Sequence, residues 1–388
     1  MSLTGNWNYP TAVRFGAGRL SELGAACLEL GIRNPLIVTD PGLAGLPMIK
    51  AAETSIKDAG LSVACFADVR GNPSGENVEA GLAAYRAGDH DGVIAFGGGS
   101  ALDAGKAIAL MAGQNCGLWE LEDSGDNWLN ADPDGIAPII GIPTTSGTGS
   151  EVGRASIITD SRRQVKKIIF HPKMLPSIVI ADPALTLGLP ASLTAATGMD
   201  ALSHNLEAFC APHYHPMARG IAIEGIRLIK NYLPTVVDDG ADLAGRSQMM
   251  VASSMGATAF QRGLGAMHAL AHPLGALYDA HHGLLNAVLM PYVLQANRSA
   301  IEKDITWLAN ALELDDGFDG FLRWVLALRE DVGIAGNLAA IDIDTERAEL
   351  VGKMATEDPS AGGNPISFTA SEYSEIFERA VRGDLQEG

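Results

Sequence analysis

The segment DGVIAFGGGSALDAGKA, residues 91–107, carries the signals that decide the fold. An apolar run, VIAF, leads directly into three glycines and a serine, and a helical pattern follows at once. Glycines let a backbone approach a phosphate closely, and a helix N-terminus offers free N–H groups and a positive dipole end. The segment therefore predicts a strand–turn–helix unit that is suited to binding a dinucleotide phosphate.

This glycine loop matches no standard phosphate motif completely. It is not G-x-G-x-x-G, and GSALDAGKA (99–107) differs from a Walker A loop in two ways. It has one residue too many between its glycines, and Ala107 replaces the Ser or Thr. A tight strand–helix turn without a ligand remains the alternative interpretation.

Further apolar runs flank this unit and predict buried strands at 34–40, 61–69, 91–100, 137–145 and 177–183. Helical patterns lie among them, as in 18–31 and 76–88. Continuous apolar strands separated by helices predict a parallel sheet covered on both faces, in a doubly wound α/β architecture.

The strand pattern stops near residue 185, and the following segments show helical periodicity. The segment DPALTLGLPAS (182–192) interrupts both kinds of pattern. We therefore predict two domains, an α/β domain over 1–184 and an all-helical domain over 185–388.

Two other polar features follow predicted strands. Asp40 ends the first run, where a carboxylate can accept both ribose hydroxyls and would repel a 2′-phosphate. GIPTTSGTGSE (141–151) offers hydroxyls and backbone N–H groups for a phosphate or a nicotinamide amide. The alternatives are a helix N-cap for Asp40 and an ordinary turn for the second loop.

The helical half contains a cluster of candidate metal ligands. Asp200 and His204 are four residues apart, His268 and His272 repeat that spacing, and His282 follows a turn-like stretch. Seven of the nine histidines fall between residues 204 and 282. Three imidazoles with one carboxylate suit Fe(II) or Zn(II), whereas a lone buried histidine would be a hydrogen-bonded core residue.

Two histidines in this interval are interpreted differently. His213 and His215 lie between prolines in CAPHYHP (210–216), so we predict loop residues that bind no metal.

The composition excludes several function classes. The chain has 388 residues, 47% of them hydrophobic and 19% charged, which predicts large buried cores. A net charge of −19 argues against nucleic acid and against anionic membrane surfaces as partners. Residues 1–13 resemble no secretory signal, and the four cysteines form no C-x-x-C pair. We therefore expect a cytoplasmic protein with free thiols.

Together the motifs resemble the iron-containing (group III) alcohol dehydrogenase family, essentially from end to end. The resembling segments are RFGAGRLSELG (14–24), VTD (38–40), GGGSALDAGKA (97–107), PTTSGTGSE (143–151), ATGMDALSHNLEA (196–208), HALAHPLGALYDAHHG (268–283) and DPSAGGNP (358–365). The resemblance implies an N-terminal Rossmann-like parallel-sheet domain followed by a C-terminal all-helical metal-binding domain. It also implies hydride transfer between NAD(H) and a small primary alcohol or aldehyde, a divalent metal (usually Fe(II), sometimes Zn(II)), and a homodimer or larger homo-oligomer.

The same resemblance assigns roles to individual residues. It implies four metal ligands: Asp200, His204, His268 and His282. It places His272 beside the nicotinamide as the candidate catalytic residue, and it makes Asp40 the residue that favours NAD over NADP. The implied cofactor-binding residues are Asp40, Gly97, Gly98, Gly99, Ser100, Asp103, Thr144, Thr145, Thr148 and Lys166.

One segment departs from the family pattern. Many members carry an apolar-Phe-x-Asn pattern before the third ligand, but this chain has AFQRGLGAMH (259–268). We hypothesise that Arg262 or Gln261 meets the carboxylate of an ω-hydroxy acid or semialdehyde, such as 4-hydroxybutyrate or succinic semialdehyde. The alternative is an Arg262 that forms a salt bridge on a helix surface.

Two other classes of function remain as rivals. A metal-dependent lyase related to dehydroquinate synthase would share the fold, but the acidic composition and the alcohol dehydrogenase motifs disfavour it. A non-enzymatic nucleotide-binding scaffold would have no reason to keep four metal ligands.

Overall fold

The computed structural model describes residues 5–7 and 11–385. The chain divides into two compact units. Unit 1 consists of Met1–Thr145 and Gly149–Gly188, and unit 2 consists of Ser146–Thr148 and Leu189–Gly388. The predicted boundary at 184/185 stays a prediction beside this contact-based division.

Unit 1 is an α/β unit, as predicted. Its strands are β1 Gly5–Trp7, β2 Ala12–Phe15, β3 Pro35–Val38, β4 Ala64–Phe66, β5 Gly92–Gly97, β6 Ile139–Pro143, β7 Ala155–Asp160, β8 Val165–Phe170 and β9 Ile178–Ala181. Its helices are α1 Leu23–Glu29, α2 Pro41–Ala44, α3 Pro47–Asp58, α4 Gly75–Ala87 and α5 Gly99–Met111. All five predicted strands are present, but the prediction of burial is wrong for β4, where Ala64 and Cys65 are exposed because this strand forms an edge of the sheet. Strand β5 ends at Gly97, because Gly99 and Ser100 already belong to α5.

Seven strands form one sheet in the order β1-β2-β9-β6-β5-β3-β4. All neighbouring pairs are parallel except β1 with β2. After β3 the chain adds β4 on one side and then β5 on the other, so the strand order reverses between β3 and β5. Open α/β sheets bind ligands beyond the carboxyl ends of the strands at such a reversal.

Alternating apolar residues cover both faces of this sheet. Val93 and Ala95 of β5 pack in one buried cluster with α4 and α5, whereas Ile94 and Phe96 pack in another with α1 and α3. This two-sided burial explains why the strands are continuous apolar runs.

The sequence analysis did not identify the antiparallel hairpin of β7 and β8. Half-buried and buried residues alternate along β7, which pairs with β8. This alternation is the pattern of a strand with one buried face. Three hydrogen bonds attach the hairpin to α5. Ser156 Oγ donates to the Asp103 carbonyl at 2.8 Å, Ile157 N donates to Asp103 Oδ2 at 2.9 Å, and Lys106 Nζ donates to the Ala155 carbonyl.

Unit 2 is helical throughout its described residues, as predicted. Its helices are α6 Ala191–Cys210, α7 Pro216–Asp238, α8 Leu243–Ala259, α9 Ala266–Tyr278, α10 His282–Ala311, α11 Gly317–Asp331, α12 Ala348–Glu357 and α13 Ala370–Arg382. They share one apolar core. Helix α6 is buried along most of its length, so its polar residues lie inside unit 2. Within the described part of the chain, no helix is long and apolar enough to cross a membrane.

Candidate functional site

The glycine loop of unit 1 connects β5 to α5. Gly98 is the N-cap residue of α5, and no side chain caps this helix end. The first turn of a helix leaves backbone N–H groups without intrahelical acceptors, and these groups suit an anion. Thr145 borders the loop, since a Cβ on Gly98 would lie 3.4 Å from the Thr145 methyl carbon. The predicted loop residues Gly97, Gly98, Gly99 and Ser100 therefore form a cradle that fits a phosphate.

Gly97 is a position that only glycine fits. Its φ is +147°, and a Cβ there would lie 2.7 Å from the Cβ of Ala101. Its carbonyl accepts a 3.0 Å hydrogen bond from Thr144 N, which joins the glycine loop to the loop after β6. A side chain at Gly97 would therefore strain the turn and push into α5.

Asp40 lies at the end of β3, on the other side of the strand reversal. Its Oδ1 accepts hydrogen bonds from Gly42 N at 2.8 Å and Leu43 N at 3.1 Å, so it caps helix α2. Its Oδ2 faces the glycine loop, because a Cβ on Gly97 would stand 3.5 Å from it. The N-cap alternative and the ribose-binding prediction are thus compatible, with one oxygen for each.

The structure gives Asp103 protein partners inside unit 1. Its Oδ1 accepts a 2.5 Å hydrogen bond from Ser150 Oγ and lies 3.3 Å from Lys106 Nζ. Lys106 is 1% exposed and donates to the Ser150 carbonyl at 3.0 Å. Burial is the largest influence on the Lys106 amine and lowers its pKa. Asp103 therefore fixes the loop that follows β6, and its predicted cofactor contact stays a prediction.

The remaining predicted cofactor residues are dispersed. Thr144 is buried and Thr145 is half-buried beside the glycine loop, whereas Thr148 belongs to the segment grouped with unit 2. Lys166 Nζ donates to Asn72 Oδ1 at 2.8 Å. The adjacent Lys167 pairs with Glu122 at 2.5 Å, so both lysines have protein partners and the cofactor contact of Lys166 stays a prediction.

Three predicted metal ligands meet inside unit 2. One ligand atom from each of Asp200, His204 and His268 lies within 4.8 Å of the others, and all three residues are buried. The rings of His204 and His268 stack with centroids 4.7 Å apart. Asp200 and His204 share one face of α6, as their spacing predicts, and α9 supplies His268.

The fourth predicted ligand, His282, lies beside this group as the first residue of α10. Its Nε2 is 3.7 Å from Asp200 Oδ1, and its side chain is 25% exposed, so it is the most accessible of the four. The Asn286 amide lies among the ligand atoms. Its Nδ2 is 2.9 Å from Asp200 Oδ1 and 3.2 Å from the Nε2 atoms of His268 and His282.

Hydrogen bonds aim the imidazoles at the centre of this group. His204 Nδ1 lies 3.3 Å from the Gly147 carbonyl, and His268 Nδ1 lies 2.6 Å from Glu207 Oε2. Both partners are acceptors, so Nδ1 carries the proton on each ring and Nε2 is left to bind a metal. This orientation, together with a buried carboxylate, fits a divalent first-row metal.

Burial and charge act differently on two of these histidines. Burial lowers the pKa of His204 to about 4, which keeps the ring neutral. For His268 burial also acts to lower the pKa, but the charges of Glu207 and Asp200 outweigh it and the pKa rises. A bound cation would oppose protonation of both rings.

His272 is held one turn further along α9. Its Nδ1 is 2.8 Å from Asp358 Oδ2, and its ring stacks on that of His282 with centroids 5.3 Å apart. Burial acts to raise the pKa of Asp358, but His272 and Ser360 outweigh it and lower the pKa. Asp358 is therefore ionised and holds the imidazole with Nε2 available for proton transfer.

The hypothesis that Arg262 or Gln261 reads a substrate carboxylate finds no support in the geometry. Arg262 Nε donates to the His213 carbonyl at 2.8 Å, and Nη1 donates to the carbonyls of Ala208 and Phe209. The guanidinium therefore caps the end of α6 and forms no surface salt bridge. Gln261 is exposed and donates to the Thr258 carbonyl at 2.8 Å.

Three residues near Arg262 in the sequence or in space, Phe260, His213 and His215, occupy different parts of unit 2. Phe260 packs against the His204 ring with centroids 5.3 Å apart. His213 is an exposed loop residue whose Nδ1 bonds to the Arg262 carbonyl, and His215 caps α7.

Three supporting residues, Glu207, Asn286 and Asp358, were not predicted from the sequence, although the spacing of the first two carries a signal. Glu207 follows His204 by three residues on α6, and Asn286 follows His282 by four on α10. Asp358 opens the DPSAGGNP segment, whose position in the fold no local pattern reveals.

Comparison with known proteins agrees with this geometry. A family model described as "Iron-containing alcohol dehydrogenase" matches residues 10–183, and one described as "Fe-containing alcohol dehydrogenase family, C-terminal" matches residues 194–381. A 4-hydroxybutyrate dehydrogenase of Cupriavidus necator is 39% identical over 96% of this chain and 99% of the relative. An NAD-dependent methanol dehydrogenase of Bacillus methanolicus is 34% identical over 97% of this chain and 100% of its own.

A solved structure extends the similarity to three dimensions. The crystal structure of a 1,3-propanediol oxidoreductase superposes with a TM-score of 0.90 at 34% identity, covering 98% of this chain and 100% of that chain. Since the family models span both units and the sequence similarity runs nearly end to end, the chain belongs to the iron-containing alcohol dehydrogenase family.

Proposed function

We propose that this chain is a metal-dependent dehydrogenase that transfers a hydride between NAD(H) and a small primary alcohol or aldehyde. The observation that carries the proposal is the buried convergence of Asp200, His204 and His268 within 4.8 Å in a chain of this family. His282 would complete the ligand set from α10.

The residues of unit 1 would hold the dinucleotide. The uncapped N-terminus of α5 would bind its diphosphate, and Asp40 Oδ2 would accept hydrogen bonds from a ribose. A 2′-phosphate would meet the negative charge of Asp40, which favours NAD over NADP. NAD would supply the hydride acceptor for alcohol oxidation.

The residues of unit 2 would prepare the substrate. A divalent metal, Fe(II) or Zn(II), would supply Lewis-acid polarisation of the substrate oxygen. Asn286 would orient the carboxylate of Asp200, and the Gly147 carbonyl and Glu207 would keep Nδ1 protonated on their histidines. His272, oriented by Asp358, would move the alcohol proton through its Nε2.

A second substrate class has a specific observation in its favour. The relative named 4-hydroxybutyrate dehydrogenase is 39% identical over nearly its whole length. An ω-hydroxy acid dehydrogenase acting on a semialdehyde is therefore the second candidate. Arg262 would not be its carboxylate-binding residue, since its guanidinium is engaged by backbone carbonyls.

The deciding experiment is anaerobic NADH oxidation by protein reconstituted with Fe(II), with metal-free protein as control. Succinic semialdehyde, 3-hydroxypropionaldehyde and a short unsubstituted aldehyde would be compared at equal concentrations. A higher kcat/KM for the neutral aldehydes supports the main proposal, and a higher value for the semialdehyde supports the second. Metal-independent turnover contradicts both candidates. A metal-dependent reaction without net NADH consumption also contradicts both and favours a lyase on this fold.

We also propose that the chain works in the cytoplasm as a homo-oligomer. Its four scattered cysteines form no disulfide, and its net charge is −19. Tyr214 and Met217 are 94% and 65% exposed and offer apolar area for a subunit contact. Light scattering of the purified protein would measure its mass, and a monomer at micromolar concentration would contradict the oligomer.

A further inference from the structure

Glu207 is a buried carboxylate that lies beside the candidate metal site but is not one of the four proposed ligands. It is 5% exposed and lies on α6, one turn after His204. Its Oε2 accepts hydrogen bonds from Gly265 N at 2.8 Å and from His268 Nδ1 at 2.6 Å. Its Oε1 accepts one from Met267 N at 2.7 Å. Three N–H donors therefore compensate the burial of this charge.

These contacts lie at the N-terminus of α9, the helix that carries His268 and His272. Gly265 is the N-cap residue, so the helix has no capping side chain of its own. Two side chains from other parts of unit 2 replace it: Glu207, and Asn364, whose Oδ1 accepts from Ala266 N at 3.0 Å. A carboxylate at this end of a helix also meets the positive end of its dipole.

We propose that Glu207 is a positioning residue of the metal centre. It holds His268 in the tautomer and ring orientation that direct Nε2 towards Asp200 and His204. The inference rests on the proposed metal site and adds the residue that orients one of its ligands.

The contact pattern supports this role. A carboxylate can only accept, so His268 must donate through Nδ1 and cannot ligate a metal with that atom. The same carboxylate bonds two backbone N–H groups that closely precede His268, so it sets the position of the ring as well as its tautomer. Carboxylate partners of metal-binding histidines typically change metal affinity by 10–100-fold when they are replaced.

Asn364 provides a matched control, because it caps the same helix end without touching His268. Its other partners are Asn297 and the Ile366 carbonyl. If both residues act only by capping α9, Glu207→Gln and Asn364→Ala should lose equal amounts of metal affinity. A function of Glu207 in orienting His268 predicts a loss of metal affinity for Glu207→Gln alone.

The experiment measures Zn(II) affinity by competition with a chelator in metal-free full-length protein. Circular dichroism and the metal-free Tm give the fold and stability of each variant. We expect a 10–100-fold weaker Kd for Glu207→Gln, a Kd within about threefold of wild type for Asn364→Ala, and a lower metal-free Tm for both variants.

Glu207→Asp keeps the charge but shortens the side chain, so we expect a Kd between those of wild type and Glu207→Gln. It is the fallback if Glu207→Gln does not fold. A wild-type Kd in the folded Glu207 variants overturns the role of Glu207 and leaves the proposed function intact. Equal weakening in Asn364→Ala assigns the effect to helix capping and also overturns it. A wild type that binds no Zn(II) or Fe(II) overturns the metal site itself.

Discussion

The two candidate binding regions are built in opposite ways. In unit 1 the backbone provides the site: an uncapped helix N-terminus, a glycine with φ of +147°, and loops at a strand reversal. In unit 2 the side chains provide it: buried imidazoles and a carboxylate, with Glu207, Asn286 and Asp358 as supports.

This difference determines how each region tolerates substitution. The backbone site depends on the absence of side chains, so we expect added atoms to damage it and removed atoms to matter less. The side-chain site depends on donors whose orientation other residues fix, so we expect the loss of a single atom to be severe.

The most severe change should be His268→Ala in the side-chain site. It removes a donor atom from the buried ligand group, so we expect loss of bound metal and a fall of more than about 10³-fold in kcat/KM. Metal content by mass spectrometry and NADH turnover would be measured together. His213→Ala, which changes an exposed loop histidine, is the control and should keep both properties. Full metal content in His268→Ala would contradict the assignment.

His272→Ala should separate chemistry from metal binding in the same region. We expect the metal to remain while kcat falls by about 10²–10⁴-fold, because a positioned proton-transfer group is lost. Asp358→Asn should lower kcat less, since the imidazole stays but loses its anionic partner. A metal-free His272→Ala protein would make His272 a ligand and contradict the proposed role.

Gly97→Ala tests the backbone site by adding one methyl group. The left-handed φ and the 2.7 Å approach to Ala101 predict a stability loss of about 1–3 kcal/mol, with weaker NAD binding and unchanged metal content. Urea unfolding and NADH fluorescence titration would measure these effects. Gly71→Ala, where the added Cβ meets nothing within 4 Å, is the control. Wild-type NADH affinity in Gly97→Ala would argue against the phosphate cradle.

Asp40→Asn should have a moderate effect confined to the cofactor. Asparagine keeps the cap of α2 but removes the charge, so we expect KM for NAD to rise about tenfold and the preference over NADP to shrink. Steady-state kinetics with both cofactors would measure this. Asp134→Asn, at an exposed aspartate of unit 1, should change neither value. An unchanged cofactor preference would leave Asp40 as an N-cap only.

The last prediction concerns stability alone and is a pH dependence of the metal-free protein. His204 has a folded pKa of about 4 against an ordinary value near 6.5, so the unfolded chain binds the extra proton between these values. Stability should therefore fall as pH drops from 6.5 towards 4, by up to about 1.4 kcal/mol per pH unit. The pKa of His268 is raised in the folded protein, so below pH 6.5 both the folded and the unfolded chain hold its proton. Its contribution to stability is therefore fully present and does not change with pH in this window.

Urea unfolding of wild type and His204→Gln from pH 7 to 4.5 would test this effect. The difference in stability between the two proteins should change with pH, with the wild type losing more. If the stabilities of the two proteins changed equally with pH, burial of His204 would not be the cause of the pH dependence.

The sequence predicted much of this molecule, because strands buried on both faces and paired histidines leave strong local patterns. The five predicted strands and the helical second half are present, and the i,i+4 spacing placed Asp200 and His204 on one helix face. The hairpin β7–β8 was missed because its residues alternate between buried and half-buried and so form no continuous apolar run like those of the predicted strands.

The spacing of Glu207 and Asn286 places them on the ligand faces of their helices, but the contacts of the supporting residues could not be predicted, because their partners are distant in sequence. Asp358 meets His272 across 86 positions, and Asn286 meets Asp200 across the same separation. Arg262 was misinterpreted because a guanidinium near a ligand suggests substrate recognition, whereas its partners are carbonyls at a helix end. Local periodicity predicts the elements and some ligands, but tertiary packing decides which polar groups support them.

The three-residue segment Ser146–Thr148 has a consequence for how this chain can be divided. It comes from the first half of the sequence but groups with unit 2, where the Gly147 carbonyl meets His204. A gene cut near residue 188 would thus give one fragment the candidate metal ligand His204 and the other fragment its hydrogen-bond acceptor. Exchanging halves between relatives would pair a histidine with a loop from another parent, so compatibility at these three residues would limit which hybrids are functional.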